Sequence, residues 1–419
     1  MSEAPLIAHV SRHGPAFDLL ASYEPGGTFF ERASLGVATS GVAATISVPG
    51  GPERILRLSR RVAEALGAIR RGPEDPVPLA VTGLSFHDDA PAEATIPGRA
   101  TVRHRPGETW QIDVAMQGLA PPDTVRERWA SRTMPFEAFA DVQLWPEPEA
   151  EEYAAAVAMA TRKIRGGSLR KVVLARSMLV DAGRELDLKQ LLWRLRAVDP
   201  DCYAFATPLA GLGPGAALVG ATPELLVRRR GPRVEATPLA GSAPRYGDPD
   251  RDRASAGALF RSDKDREEHA VVVEDVARVL GAFCDDLERP HEPELFGTAN
   301  VWHLATPCRG RLHDPSVGAL DLVAALHPTP AVAGTPRDAA LDVLGELEAI
   351  DRGGYAGPVG WVDAEGDGEF AIALRCAEIT GKTARLFAGA GIVADSVPEA
   401  ELDETERKFR ALLDSLRWG

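Results

Sequence analysis

An α+β fold is expected from three features of the sequence. Short segments that alternate apolar and polar residues recur along the chain, separated by glycine and proline turns. Among them lie a few long amphipathic helices. The clearest is ERILRLSRRVAEALGAIRR, 53–71, with Ile55, Leu58, Val62, Leu66 and Ile69 on one stripe. Nucleotide-binding glycine motifs are absent. Gly211-Leu212-Gly213-Pro214-Gly215 has the wrong spacing for a dinucleotide fingerprint, and Pro214 suits a hairpin.

In residues 1–140, strands are expected at 36–48, 79–86, 94–104 and 109–116 around that helix. Arg12-His13-Gly14 matches three residues of a histidine phosphatase motif, so phosphohistidine chemistry at His13 is the alternative from a different class. Residues 141–150, DVQLWPEPEA, read as a surface connection leading into a helix, 149–166. Residues 141–419 hold the candidate chemistry, and the two parts are expected to form one structural domain.

Lys171 opens an apolar strand, KVVLAR. A lysine there either snorkels to solvent or, if desolvated, becomes a usable base. Residues 206–230 read as a strand, a glycine turn and two further strand segments. Glu224 precedes the apolar run LLV, as a strand-edge charge or as a buried acid with a raised pKa. A partner strand, 233–241, ends in PLAGS, which contains Gly241 and Ser242. Ser262 begins a long helix, SDKDREEHAVVVEDVARVLGAFCDDL, capped through Asp265. His303 lies in a mostly apolar segment. LHPTPAVAG is a rigid loop ahead of a helix, 336–350.

The stretch 369–409 reads as a strand, a Thr380-Gly381-Lys382 turn and a second strand, TARLF. That strand runs into Gly389-Ala390-Gly391, a loop with exposed amides, and a helix starts near Ser396 and Pro398. Glu401 and Glu404 sit at i and i+3 on this helix, as Asp265 and Glu268 do on the earlier one. Two such pairs facing each other suit Mg²⁺, which prefers hard oxygen ligands and keeps several waters. The alternative for each pair is a solvated helix start favoured by the dipole.

The formal charge of −14, from 47 basic and 61 acidic residues, argues against nucleic acid or an anionic membrane as partner. Cys202, Cys284, Cys308 and Cys376 are widely spaced and contain no CxxC, as expected of reduced, packed thiols. The stretch MSEAPLIAHV shows no basic n-region followed by an apolar h-region, and no apolar run reaches membrane length. A cytoplasmic protein is expected.

From KVVLAR onward, the segments GATPELL, PLAGS, SDKDREEH, WHLAT, LHPTPAVAG, DRGGYAGPVGW, ALRCAEI and FAGAGIV follow in order. Together they resemble the chorismate-utilising enzymes, most closely isochorismate synthase, over roughly residues 150–419. The resemblance implies a single large α+β domain of the anthranilate synthase component I type: two stacked sheets, outer helices and a site in the cleft. It implies chorismate as substrate and Mg²⁺ as cofactor. Water would add at one ring carbon while the 4-hydroxyl leaves from the opposite face, with Lys171 as general base and Glu224 as general acid. Glu268 and Glu404 would hold the metal, and Asp265 and Glu401 its waters. Arg375 and the amides around Gly389 and Gly391 would bind the enolpyruvyl carboxylate. Gly241 and Ser242 would line the site, and His303 would orient the substrate. Ala331 would lean toward stopping at isochorismate, whereas Val332 stands where leucine is more usual and Tyr355 where synthases commonly carry phenylalanine and pyruvate-eliminating relatives tyrosine. Salicylate synthases, which go on to eliminate pyruvate, tend to carry a hydroxyl residue at Ala331 and are the same-fold alternative. Lys171 favours water over ammonia, so no glutamine amidotransferase subunit is expected, and the protein should be a monomer. Siderophore and menaquinone routes both use isochorismate.

Overall fold

The computed structural model describes residues 5–14, 17–117, 142–213 and 215–417. Within them, antiparallel strands build a 12-stranded, a 9-stranded and a 3-stranded sheet. The largest sheet runs from Leu6–His13 through Glu108–Met116, Arg99–Arg105, Leu35–Ser40 and Phe29–Arg32. It continues through Tyr203–Pro208, Ala217–Thr222, Cys376–Thr380, Thr383–Ile392 and Lys171–Asp181 to Gly334–Thr335. The second sheet places Leu225–Arg230, Gly368–Ile372 and Pro358–Asp363 at its centre, with Leu79–Gly83 pairing onto the last of these. The third joins Leu239–Pro244, Val301–Ala305 and Glu294–Gly297.

Strands from before residue 140 are therefore built into both large sheets beside strands from after it. The two sheets face each other: Tyr203 of the first donates to Glu369 of the second at 2.7 Å, and His104 stacks on Trp361 with centroids 4.6 Å apart. The stripe read on the first long helix is buried at Ile55, Leu58, Val62, Leu66 and Ile69. This helix, Arg54–Gly67, packs on Ala319–Leu326. All four thiols are free and buried. Among the described residues no helix is long and apolar enough to cross a membrane.

Two of the chain's passages between the large sheets lie side by side, Thr222 to Leu225 and Ile372 to Cys376. Backbone and hydroxyl hydrogen bonds pin the crossings together. Thr222 Oγ1 donates to Ile372 O at 2.6 Å, Ile372 N to Glu224 O at 3.1 Å, and Ala221 N to Arg375 O at 3.2 Å. Arg375 adopts φ 47°, a left-handed value uncommon for a residue with a side chain. Glu224 and Arg375 thus owe their positions to the junction of the sheets.

Several elements differ from the sequence reading. The apolar run from 369 is two strands in two sheets, because the chain changes sheet at Arg375. Gly389 and Gly391 are not in a loop. They lie inside the strand Thr383–Ile392, paired with Ala175 and Val173. Residues 36–48 divide into Leu35–Ser40 and Ala44–Val48. Gln143–Glu147 is an edge strand on Lys171–Asp181 rather than a free connection. The helix capped by Ser262 ends at Leu280, and Cys284–Glu288 is a strand. Pro214 lies outside the described residues.

Candidate active site

One cavity gathers most of the residues singled out in the sequence. Its lining includes Glu224, Gly241, Ser242, Asp265, Glu268, His303, Ala331, Val332, Tyr355, Arg375, Gly389, Gly391, Glu401 and Glu404. Lys171 stands just behind this lining, its Nζ 2.9 Å from Glu268 Oε1 and its side chain 2% exposed. His13 lies elsewhere. It ends the strand Leu6–His13, donates through Nε2 to Gln111 Oε1 at 3.1 Å and stacks on Phe17.

The strand Lys171–Asp181 forms one wall. Its register with Thr383–Ile392 sets Val173 opposite Gly391 and Ala175 opposite Gly389. Val173 N donates outward to Ala333 O at 2.9 Å, and Ala175 N to the Glu348 carboxylate at 2.8 Å. In an antiparallel ladder the residues facing such positions also turn their N–H and C=O groups away from the shared edge. The amides of Gly389 and Gly391 therefore point off the pair, and Gly389 O accepts from Lys408 Nζ at 2.7 Å. A Cβ on Gly391 would lie 2.5 Å from Glu268 Oε1 and 3.1 Å from Lys171 Cε. A side chain there would have to push apart the lysine and the carboxylate that meet in that space.

Two helix starts form the acidic wall. Ser262 Oγ accepts from Asp265 N at 3.2 Å and caps the helix Asp263–Leu280. Gly241, at φ +71°, lets that helix approach, since a Cβ there would be 3.1 Å from Asp265 Cβ. The helix Pro398–Arg417 contributes Glu401 and Glu404. A lysine accompanies three of the four carboxylates: Lys171 on Glu268, Lys264 on Glu401 at 3.4 Å, and Lys408 on Glu404 at 2.6 Å. Burial raises the Glu401 pKa, and the charge of Glu404 adds to the shift. Burial likewise raises Asp265, with Glu268 and Glu404 repelling its ionised form. Burial also acts on Glu404, but Lys408 and the Ser242 hydroxyl outweigh it and leave that carboxyl below the usual range.

Four carboxylates lining one cavity suit a hard cation, which would relieve the repulsion that adds to the burial shift of Asp265 and Glu401. Among the described residues, no three acidic, histidine or cysteine side chains are close enough together to hold a metal as they stand. The lysine partners occupy the carboxylates instead. The group in contact with Lys171 is an acid, Glu268.

The opposite chemistry is found at the sheet junction. Glu224 is 3% exposed. Burial pushes its carboxyl up to about 8, against the pull of Lys171 and of the Leu239 N–H. It is therefore held protonated at neutral pH. Beside it, Arg375 Nη2 lies 2.5 Å from His303 Nε2, and His303 Nδ1 lies 3.1 Å from Gly241 O. Arg375 donates to Nε2 and Nδ1–H donates to the carbonyl, which fixes one neutral tautomer. Burial, with Arg375 and Lys408 adding to it, lowers the His303 pKa well below its ordinary value.

Arg352 holds the remaining side. It is fully buried and donates to Val332 O and to Val173 O, each at 2.7 Å. It pairs with Glu348 at 2.6 Å, and its carbonyl accepts from Tyr355 N at 2.8 Å. Tyr355 stacks on Phe387 with centroids 5.2 Å apart. Sequence reasoning missed Arg352, Lys264, Lys408 and Phe387. Both lysines sit beside the acids in SDKDREE and ETERK, and Lys408 is four residues from Glu404, so a local pairing signal existed.

A family profile described as "Chorismate binding enzyme" matches residues 15–417. The chain is 38% identical over 402 residues to isochorismate synthase DhbC of Bacillus subtilis, covering 95% of each protein. It is 42% identical over 267 residues to isochorismate synthase EntC of Escherichia coli K12, covering 64% of this chain and 67% of EntC. Among solved structures, a candidate 2,3-dihydroxybenzoate-specific isochorismate synthase, DhbC of Bacillus anthracis, superposes with a TM-score of 0.81 at 34% identity. That match covers 95% of this chain and 98% of the other. Anthranilate synthase component I of Streptococcus pneumoniae shares the fold, with a TM-score of 0.71 at 21% identity, over 93% of each chain.

Proposed function

The chain belongs to the chorismate-binding enzymes, and from that premise we propose that it is a Mg²⁺-dependent isochorismate synthase using Lys171 as base and Glu224 as acid. The observation that carries this reading is Glu224, a buried carboxyl whose burial pushes its pKa up to about 8, in the same cavity as an acidic wall. A departing hydroxide is a poor leaving group unless it is protonated as it goes. Glu224 supplies that proton to the 4-hydroxyl of chorismate, and the hydroxyl leaves as water. Lys171 takes a proton from the incoming water, whose oxygen bonds to the ring, so one proton is gained by the enzyme and one is given. To act in this way, Lys171 must part from Glu268.

Glu268 and Glu404 would hold the cation, with Asp265 and Glu401 on its waters. When bound, Mg²⁺ would neutralise and orient the ring carboxylate of a dianionic substrate in a strongly acidic protein. Arg375 and the free amides of Gly389 and Gly391 suit the enolpyruvyl carboxylate. His303, held by Arg375 and Gly241, would orient the substrate. Water as nucleophile needs no amidotransferase partner. One observation favours salicylate synthase: the Tyr355 hydroxyl is 3.0 Å from the place a Cβ on Gly389 would take, so a phenol reaches the cavity floor.

The test is incubation with chorismate and Mg²⁺, with and without EDTA, and separation of the products. Isochorismate without pyruvate, lost on chelation, is expected. Salicylate with stoichiometric pyruvate would move the protein to the lyase branch. Failure to turn over chorismate in either condition would overturn the reading.

A further inference from the structure

We propose that a second cavity, behind Lys171, is the route by which water reaches the base while substrate fills the first. The proposal rests on the isochorismate synthase reading. The two cavities meet at the start of the helix Asp263–Leu280, where Lys264 and Glu268 line both. Lys171 lines the second cavity only, with Ile164, Ser168, Leu169, Val393 and Ala394. The Lys171–Glu268 ion pair is the partition between them.

A general base acts only on a water within hydrogen-bond reach, directly or through one other water. The Lys171 side chain is almost wholly buried. Once a substrate is bound to Arg375 and the acidic wall, it closes the front of the site. Each turnover takes up one water on the Lys171 side and releases another on the Glu224 side, so with the front closed the attacking water has to come from behind Lys171. The second cavity fits that need in depth and polarity. Its rim is exposed at Gly167, Ser168 and Glu267, while Ile164 and Leu169 are buried in its floor. Ser168, Lys264 and Glu268 give an entering water polar partners on the way to Lys171, and the exposed Arg170, Asp263, Glu267 and Asp395 add others at the rim. Because Glu268 lines both cavities, its departure from Lys171 would join them at the point where the base acts.

The four native thiols are all buried, so a single introduced cysteine can be labelled selectively. Ala394→Cys sits in the second cavity, away from the first. The full-length protein would be labelled with methyl and then benzyl methanethiosulfonate, and assayed with chorismate and Mg²⁺. Complete labelling is expected to lower kcat by ~10-fold or more, the benzyl adduct more than the methyl, with KM for chorismate changed less than ~2-fold. Chorismate should not protect the introduced thiol. An unchanged kcat after complete benzyl labelling would overturn the proposal. A raised KM, or protection by chorismate, would also overturn it by making this cavity the substrate's own opening. Ser168→Cys, in the same cavity, gives the same readout should the first variant fail to fold. Wild-type protein that makes no isochorismate would instead count against the proposed reaction.

Discussion

Glu224 and Glu404 line the same cavity, yet the protein holds them in opposite states. Burial acts on both. At Glu224 it prevails, because a backbone amide and the more distant charge of Lys171 are all that oppose it. At Glu404 it loses, because Lys408 touches the carboxylate at 2.6 Å and the Ser242 hydroxyl adds a second hydrogen bond. The difference shows that depth alone does not set a carboxyl's chemistry. What decides is whether the fold brings a cation into contact, and that follows from where each residue is anchored. Glu404 is on a helix, four residues from a lysine, whereas Glu224 is on a sheet crossing whose neighbours are backbone.

The strongest way to break this contrast is Glu224→Gln. It should lower kcat by ~10³-fold with little change in KM, because the proton matters mainly in the transition state. The pH profile sharpens the same point. As pH rises through about 8, the Glu224 proton is lost from the free enzyme and with it the acid, so wild-type kcat/KM should fall there. The residual rate of the glutamine variant should lack that limb. Lys171→Met should cost ~10²- to 10⁴-fold in kcat while chorismate binding, followed by fluorescence, persists. Retained turnover would remove Lys171 from the base role.

On the charged side the expected effects are smaller. Glu404→Gln should raise the Mg²⁺ concentration needed for half-maximal activity by ~10- to 100-fold, read from a metal titration at fixed chorismate. Lys408→Met removes the cation that holds Glu404 down, so its carboxyl pKa rises. Metal binding, which needs the ionised form, should then shift to higher pH. The smallest effect is expected of His13→Ala, with kcat/KM for chorismate unchanged. A large loss there would reopen the phosphohistidine alternative.

How far the site could be read in advance varied with how local its causes are. The two acid pairs were legible because i, i+3 spacing puts them on one helix face whatever surrounds the helix. That they line the same cavity was not a local matter. Gly389 and Gly391 were misread as a loop because glycine usually breaks a strand. Here a strand glycine leaves the space in which Glu268 and Lys171 meet. Arg352 gave no local sign of its role, since the carbonyls it binds belong to Val332 and Val173, 20 and 179 residues away in the chain.

The sequence by itself determined the α+β class, the capped helix starts, the buried stripe of the first long helix and the family resemblance, because each depends on spacing along the chain. Only the tertiary structure decided that Glu224 has no cation in contact among the described residues, that lysines occupy three of the four acids, and that Lys171 sits beside a second cavity. Protonation state and access depend on which distant groups come within a few ångströms. That is fixed by the sheet crossings and strand register rather than by the order of residues.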